Sequence, residues 1–192
     1  SPISHSLSPV MHKAAFDFLG VEGSYTAIEV RSGELSSFIA ESGDGFDYLS
    51  LTMPLKEEVL GLDLRADSLT QRIQSGNTLV KRGESWDLTS TDGSGFVAAL
   101  NNAGIQQLES VLILGAGGTA RAVTGSLDSI AKNIHVLGRS SVRQAALESA
   151  IVESRFEYHR WSQDVDFSSY DLVVNTTPAG AADLLANAVP SK

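Results

Sequence analysis

Along this chain the apolar positions come in short blocks, and their period switches between the spacing of a helix and that of a strand. Val10, Ala14, Phe18 and Leu19 form one apolar stripe, which Ser8 and Pro9 open as hydroxyl cap and first-turn ring, and which Gly20 closes. Residues 24–30 read as a strand, followed by a helix from about Ser32 to Glu41. Asp47 to Met53 reads as a further strand, leading into Pro54 and a short helix around Glu57–Leu60. This β-α-β order predicts parallel pairing in the first half. Residues 77–81 and 86–90 form two strands joined by the turn Arg82-Gly83-Glu84-Ser85. A helix over 94–102, closed by Gly104, leads into a second β-α-β series with strands near 111–114, 134–138, 156–160 and 172–175.

Composition narrows the classes open to such a chain. With 192 residues and 42% hydrophobic content it can bury a core, as one large domain or two small ones. No apolar run approaches the ~18 residues needed to span a bilayer, and residues 1–20 lack the pattern of a signal peptide. The absence of cysteine excludes disulfides and thiolate metal sites, and a cytoplasmic location is expected. A formal charge of −9 repels phosphate backbones, so nucleic acid is not an expected partner, and the lack of a long apolar run leaves no membrane expected either. The four histidines, His5, His12, His135 and His159, are scattered without ligand spacing; packing or surface roles are expected and no metal. Ser1-Pro2-Ile3 reads as the close of a turn after a lost strand, and Val189-Pro190-Ser191-Lys192 stops without a terminating element, so the chain is expected to be a piece of a longer one.

Given that charge, an anionic ligand must meet local amides, hydroxyls or cations, and one loop offers the first of these. The apolar block Val111–Leu114 runs into Gly115-Ala116-Gly117-Gly118-Thr119-Ala120, which opens an Ala-rich helix. Gly115 permits a tight turn, Gly117 lets the backbone approach a pyrophosphate, and Ala120 allows close helix–strand packing. The helix N-terminus adds free N–H groups and a positive dipole end. A dinucleotide with a free 2′-hydroxyl usually meets a carboxylate about 20 residues further on. Here the stretch Val136-Leu137-Gly138-Arg139-Ser140-Ser141-Val142-Arg143 contains no acid. Arg139 and Arg143 can clamp a 2′-phosphate, with Ser140 and Ser141 donating hydrogen bonds, which favours NADP. Read as ordinary surface charges, the same arginines leave the choice between NADP and NAD open.

Upstream of the loop lie polar positions that no core requires. The Ser6 and Ser8 hydroxyls share one side of an extended segment and can donate to a carboxylate; Ser8 also reads simply as a helix cap. Thr52 and Lys56 flank Pro54, which stiffens the turn that presents them. Asn77 and Asp92 stand at strand or loop ends, and each by itself also reads as a turn residue.

Taken together and in order, these motifs resemble those of the shikimate dehydrogenase family. The resemblance covers essentially the whole chain, from His5-Ser6-Leu7-Ser8-Pro9 through Thr52-Met53-Pro54-Leu55-Lys56, Asn77-Thr78 and Thr91-Asp92-Gly93 to Asn175-Thr176-Thr177-Pro178. Gly115 to Arg121 is close to the family's cofactor loop. The family interconverts 3-dehydroshikimate and shikimate with NADP, on the route to chorismate and the aromatic amino acids. The resemblance implies that Ser6 and Ser8 hold the substrate carboxylate and that Thr52, Asn77 and Asp92 surround its ring hydroxyls. It makes Lys56 the catalytic lysine, paired with Asp92. Arg139 and Arg143 would receive the adenosine phosphate, Thr119 and the glycines would line the pyrophosphate, and Asn175 and Thr176 would lie near the ribose and nicotinamide. The chain departs from the family pattern at Ser50-Leu51 (usually Asn-Val), Gly76 (Val or Ile), Ser90 (Asn) and Gly138 (Asn). The family's C-terminal segment has no counterpart here.

The expected fold class is therefore α/β. An N-terminal α/β substrate domain with a mixed sheet (1–101) precedes an incomplete Rossmann-like NADP-binding domain (102–192), as monomer or homodimer. The competing readings are an NAD-preferring quinate/shikimate dehydrogenase and a non-catalytic dinucleotide-binding regulatory module.

Overall fold

The computed structural model describes residue 3 and residues 6–162 and 164–186. His5 and the final segment from residue 187 onward, both used in the sequence reading, lie outside the described residues. The first helix, α1 (Ser8–Leu19), carries a proline in its first turn and ends at Gly20, whose φ of 64° makes the left-handed turn that glycine adopts without strain. The expected cap is not formed. Leu7 precedes the helix with helical angles (φ −87°, ψ −6°) and no side chain caps it. Instead Ser6 Oγ accepts the Ser8 N–H at 3.3 Å. Ser6 and Ser8 thus flank a helical turn rather than sharing one side of an extended segment, because Ser8 already belongs to the helix. The apolar stripe of α1 is also left open, with Val10 70% and Phe18 89% exposed. Its opposite side is covered locally, where the His12 ring stacks on Tyr25 with centroids 3.9 Å apart.

Residues 24–30 form no strand, contrary to the sequence pattern. A strand is stable only where its backbone groups meet a ladder partner. The nearest candidate, β1 (Tyr48–Ser50), is the edge of its sheet among the described residues and pairs only with β3. After α2 (Leu35–Ser42) and β1, the chain turns through a cis Met53–Pro54 peptide into α3 (Leu55–Glu58). Then follow β2 (Arg65–Ala66), α4 (Ser68–Ile73), β3 (Thr78–Arg82) and β4 (Ser85–Thr89). The Asp67 carboxylate caps α4 by accepting the Thr70 N–H at 2.7 Å.

The first sheet has the order β1-β3-β4-β2. It is mixed, as the expected fold class has it, rather than parallel throughout as the β-α-β order alone suggested. β3 and β4 form a hairpin around Gly83 (φ 65°), β1 runs antiparallel to β3, and only β2 and β4 are parallel. The tight turn decides this, since two strands joined by two residues can pair only antiparallel. Leu49, Leu79, Trp86 and Leu88 of this sheet pack against Leu35, Leu55 and Val59.

α5 (Asp92–Asn102) leads from the first half to the second, which consists of β5 (Leu108–Leu114), α6 (Gly118–Leu127), β6 (Ala131–Gly138), α7 (Gln144–Glu148), β7 (Arg155–Arg160), β8 (Leu172–Asn175) and α8 (Asp183–Ala186). Its strands pair in the order β7-β6-β5-β8, all parallel. Val111 to Leu114 are buried on both sheet faces, as a central parallel strand requires. On one face Val111, Ile113, Ile134 and Val136 meet Ala120, Val123 and Leu127 of α6. On the other, Leu112, Leu114 and Leu137 meet Phe167 and Leu185.

The two halves touch through α6. Gly93 has no side chain, and a Cβ there would collide with Ser126 Oγ and the Ala122 carbonyl, so glycine sets the approach of α5 to α6. Arg121, only 3% exposed, turns from α6 toward the first half. Its Nε donates to the Ile73 carbonyl at 2.8 Å and a terminal nitrogen donates to the Gln74 carbonyl at 2.9 Å. A cation so buried is tolerable only with its donors satisfied. Among the described residues no helix is long and apolar enough to cross a membrane.

Candidate active site

Two short segments set Lys56. Leu55 is buried and anchors α3 in the first core, and the Lys56 carbonyl accepts the Gly76 N–H at 2.9 Å. The ammonium therefore projects from a backbone fixed on both sides. Asp92 is the first residue of α5, where a carboxylate is favoured by the helix dipole. Lys56 Nζ lies 2.5 Å from Asp92 Oδ2, with the two side chains 16% and 21% exposed. Asn77, just before β3, donates from Nδ2 to Asp92 Oδ1 at 2.6 Å. It is itself oriented by the Thr91 N–H, which donates to its Oδ1 at 2.9 Å. Thr119 Oγ1, in the first turn of α6, reaches Asp92 Oδ2 at 3.5 Å.

Four of the expected site residues thus meet in one network: Lys56, Asn77, Asp92 and Thr119. It spans both halves of the chain. The remaining expected substrate residues do not join it. Ser6 bonds locally to Ser8, and Thr52 is exposed at the turn before α3, where its carbonyl accepts the Leu55 N–H at 2.8 Å.

The glycine loop has the shape its sequence requires. Gly115 has φ 110°, which excludes most side chains, and a Cβ there would lie 2.6 Å from Thr176 Oγ1. Thr176 donates that hydroxyl to the Leu114 carbonyl at 2.8 Å, holding the end of β8 against the turn. Asn175, the last residue of β8, accepts the Thr177 N–H at 2.9 Å. Gly117 precedes α6 with extended angles, and a Cβ on it would meet only Arg143 Nη1, at 3.8 Å. Ala116 borders the core, and the Ala120 methyl is fully buried at the sheet. A Cβ on Gly118 would meet Ser75 Oγ at 2.6 Å and Lys56 Cδ at 3.7 Å, so the loop rests directly on the lysine. Bare backbone at a helix N-terminus, open on the Gly117 side and flanked by a guanidinium, fits a pyrophosphate-containing cofactor.

The two basic positions behave differently. Arg139 is exposed at the end of β6. Arg143 instead forms an ion pair with Glu57, Nη2 to Oε1 at 3.4 Å, and the same carboxylate oxygen lies 3.0 Å from Arg121 Nη2. Ser140 offers its carbonyl to the Tyr158 hydroxyl at 2.5 Å. That ring also accounts for Gly138, because a Cβ there would run into the Tyr158 hydroxyl. Gly76 has a similar cause: a Cβ would overlap the Leu88 side chain.

The sequence did not single out Glu57 or Ser75, and it placed Arg121 in the cofactor loop without indicating that its side chain turns to Ile73, Gln74 and Glu57. Glu57 follows the lysine and entered the sequence reading only as the start of a short helix. Three of the histidines pack against other rings, as the sequence suggested, but two of them also meet each other. His135 and His159, 24 residues apart, come together on adjacent strands, with Nδ1 and Nε2 3.0 Å apart and Glu157 beside them. Burial lowers the affinity of His135 for a proton, with Glu157 opposing and His159 adding to the effect, so that ring is neutral at neutral pH.

Residues 1–79 match the family described as the shikimate dehydrogenase substrate binding domain. The shikimate dehydrogenase (NADP(+)) of Methanothrix thermoacetophila is 36% identical over 186 residues, which are 95% of this chain and 67% of that protein. The crystal structure of shikimate 5-dehydrogenase from Thermus thermophilus in complex with shikimate is 34% identical, with a TM-score of 0.83 over 98% of this chain and 71% of that one. The same enzyme in complex with NADP(H) and shikimate gives a TM-score of 0.78, over 92% of this chain and 65% of that one. The chain spans between 54% and 67% of the length of eight curated relatives that it matches, all of them shikimate dehydrogenases (NADP(+)). With the substrate-domain match, a relative this similar over two-thirds of its length and the shared two-sheet fold, the chain belongs to the shikimate dehydrogenase family.

Proposed function

We propose that the chain carries the catalytic centre of an NADP-dependent shikimate dehydrogenase, reversibly reducing 3-dehydroshikimate to shikimate in aromatic amino-acid biosynthesis. The observation that carries this reading is the Lys56–Asp92 pair, 2.5 Å apart at the seam between the dinucleotide loop and the first sheet. A module that only bound nucleotide would have no use for a proton donor there. The residues of a substrate domain, 1–101, would then work against those of a cofactor domain, 102–192, in the cytoplasm.

When bound, NADP supplies or receives the hydride. In reduction the substrate carbonyl oxygen gains negative charge, and Lys56 donates a hydrogen bond and then its proton to that oxygen. In oxidation the same nitrogen receives the hydroxyl proton. Asp92 orients the ammonium through Oδ2, while Asn77 holds its other oxygen and prevents the carboxylate from turning. Thr119 links this pair to the first turn of α6, so the proton donor and the nucleotide loop keep a common frame. The glycines and the α6 N-terminus would hold the pyrophosphate, with Thr176 and Asn175 lining the loop's far side. Arg143 and Arg139 would take the 2′-phosphate, assisted by Ser140. Ser6, Ser8 and Thr52 stand apart from the Lys56 network and would close on the carboxylate and ring hydroxyls as substrate binds.

The test is NADPH formation from shikimate, run beside quinate and beside NAD. Turnover with NADP and shikimate is the expected result. Saturable NADP binding with no turnover overturns the reading in favour of a non-catalytic dinucleotide module.

A further inference from the structure

We propose that His135, Glu157 and His159 form a binding site for one divalent cation of the zinc class, on the sheet face turned away from α6. The parallel register of β6 and β7 sets His135 opposite Glu157, and His159 follows two residues later. All three side chains therefore project from one face. Ile134 and Val136, which alternate with His135, lie on the other face in the core under α6.

The donor atoms form a compact triangle. His135 Nδ1 and His159 Nε2 are 3.0 Å apart, and Glu157 Oε2 lies 3.6 Å from the first and 3.7 Å from the second. Atoms so spaced share a common point about 2.0 Å from each, the bond length zinc makes to imidazole nitrogen and carboxylate oxygen. Two imidazoles and a carboxylate suit zinc and its neighbours, whereas magnesium and calcium take oxygen ligands.

The rings lie within 12° of parallel with centroids 5.3 Å apart, nitrogen facing nitrogen, and share one N–H···N hydrogen bond. Cation binding replaces that hydrogen bond: the ring that donated it takes the tautomer with its proton on the other nitrogen, both rings stay neutral, and each swings to aim its lone pair at the common point. The His135 ring also packs against the Tyr170 ring, inclined at 72° with centroids 5.2 Å apart. Glu157 and His159 are about half exposed, 51% and 43%, so the cation has an entry path and water can reach its fourth position. β7 is the edge strand of the described sheet, and the cation would tie it to β6 through side chains as well as the ladder. The site is independent of the proposed catalytic centre and shares no residue with it.

A cobalt(II) titration of the tag-free chain, followed by zinc(II) competition, tests the site. The expected result is one cobalt per chain with the intense visible absorption of a tetrahedral centre, displaced by zinc and untouched by magnesium. Both His135→Ala and His159→Gln should abolish that absorption. His159 is half exposed, so its variant stays folded by circular dichroism and keeps the test decisive should His135→Ala fail to fold. Only the faint spectrum of hydrated cobalt with the wild-type chain, or an unchanged signal in folded His159→Gln, would overturn the proposal.

Discussion

Glu57 reaches from α3 to Arg143 in the second half of the chain, carboxylate oxygen to guanidinium nitrogen at 3.4 Å. It thereby occupies a guanidinium that stands over Gly117 and that the 2′-phosphate is proposed to use. Phosphate must compete with this carboxylate. Half-exposed pairs of this kind contribute at most about 1 kcal/mol. Glu57→Gln should accordingly tighten binding of 2′,5′-ADP by about two- to fivefold, measured by calorimetry, and leave 5′-AMP binding unchanged.

Lys56→Ala should lower kcat by about 10²- to 10⁴-fold while changing KM for shikimate little, because the lost interaction strengthens as charge develops on the substrate oxygen. Steady-state rates of NADPH formation check this. A variant with near-normal kcat would remove Lys56 from the chemistry.

Asp128 follows α6 and is buried, 6% exposed. Burial pushes its carboxyl up, but the N–H groups of Ser154, Glu153 and Val152, with the Ser154 side chain, outweigh it and hold it below the ordinary 3.8. A carboxyl held low in the folded state stabilises fully above the unfolded value, near ~3.9, and loses its contribution as pH falls through the folded one. Asp128→Asn should cost about 1–3 kcal/mol at pH 7. Urea unfolding of variant and parent should converge as the pH drops below ~3.9.

Gly115→Ala combines an unfavourable φ of 110° with a contact at 2.6 Å to Thr176 Oγ1. The cost should be about 1–3 kcal/mol in urea unfolding. Adding Thr176→Ala should restore part of the loss, the steric share, and leave the backbone share in place.

Ser75 is 1% exposed and its hydroxyl has no hydrogen-bond partner among the described residues. Ser75→Ala removes an unsatisfied buried group. It should raise stability by up to about 1 kcal/mol, read as a higher urea midpoint.

Local pattern carried the second half of the chain well. Val111 to Leu114 followed by the glycines has one good solution, and the four parallel strands lie where their apolar blocks predicted. The Arg82–Ser85 turn likewise announced its hairpin. Patterns failed where a partner element decides the outcome. Residues 24–30 have strand composition yet form no strand, although Ile28 to Val30 line a pocket with Ser50 of β1, and the stripe of Val10 and Phe18 has no described element to cover it. Asp67 ahead of Ser68 was a readable helix cap that the apolar pattern masked. The convergence of Lys56 with Asp92 came from motif order, since positions 36 residues apart carry no mutual signal in a single sequence. Glu57 and the His135–His159 pair were invisible for the same reason: strand register and the docking of α6 created them.

Arg121 has a consequence for how the groove can move. Its guanidinium is shut inside the molecule and grips the carbonyls of Ile73 and Gln74 in the opposite half. Moving the halves apart along that line would break both hydrogen bonds to this guanidinium, each worth about 1.5–3 kcal/mol as a bond to a charged group. Because one Glu57 oxygen lies 3.0 Å from Arg121 and 3.4 Å from Arg143, the solvent-facing rim and this inner clasp form a single latch, and loosening either end is felt at the other.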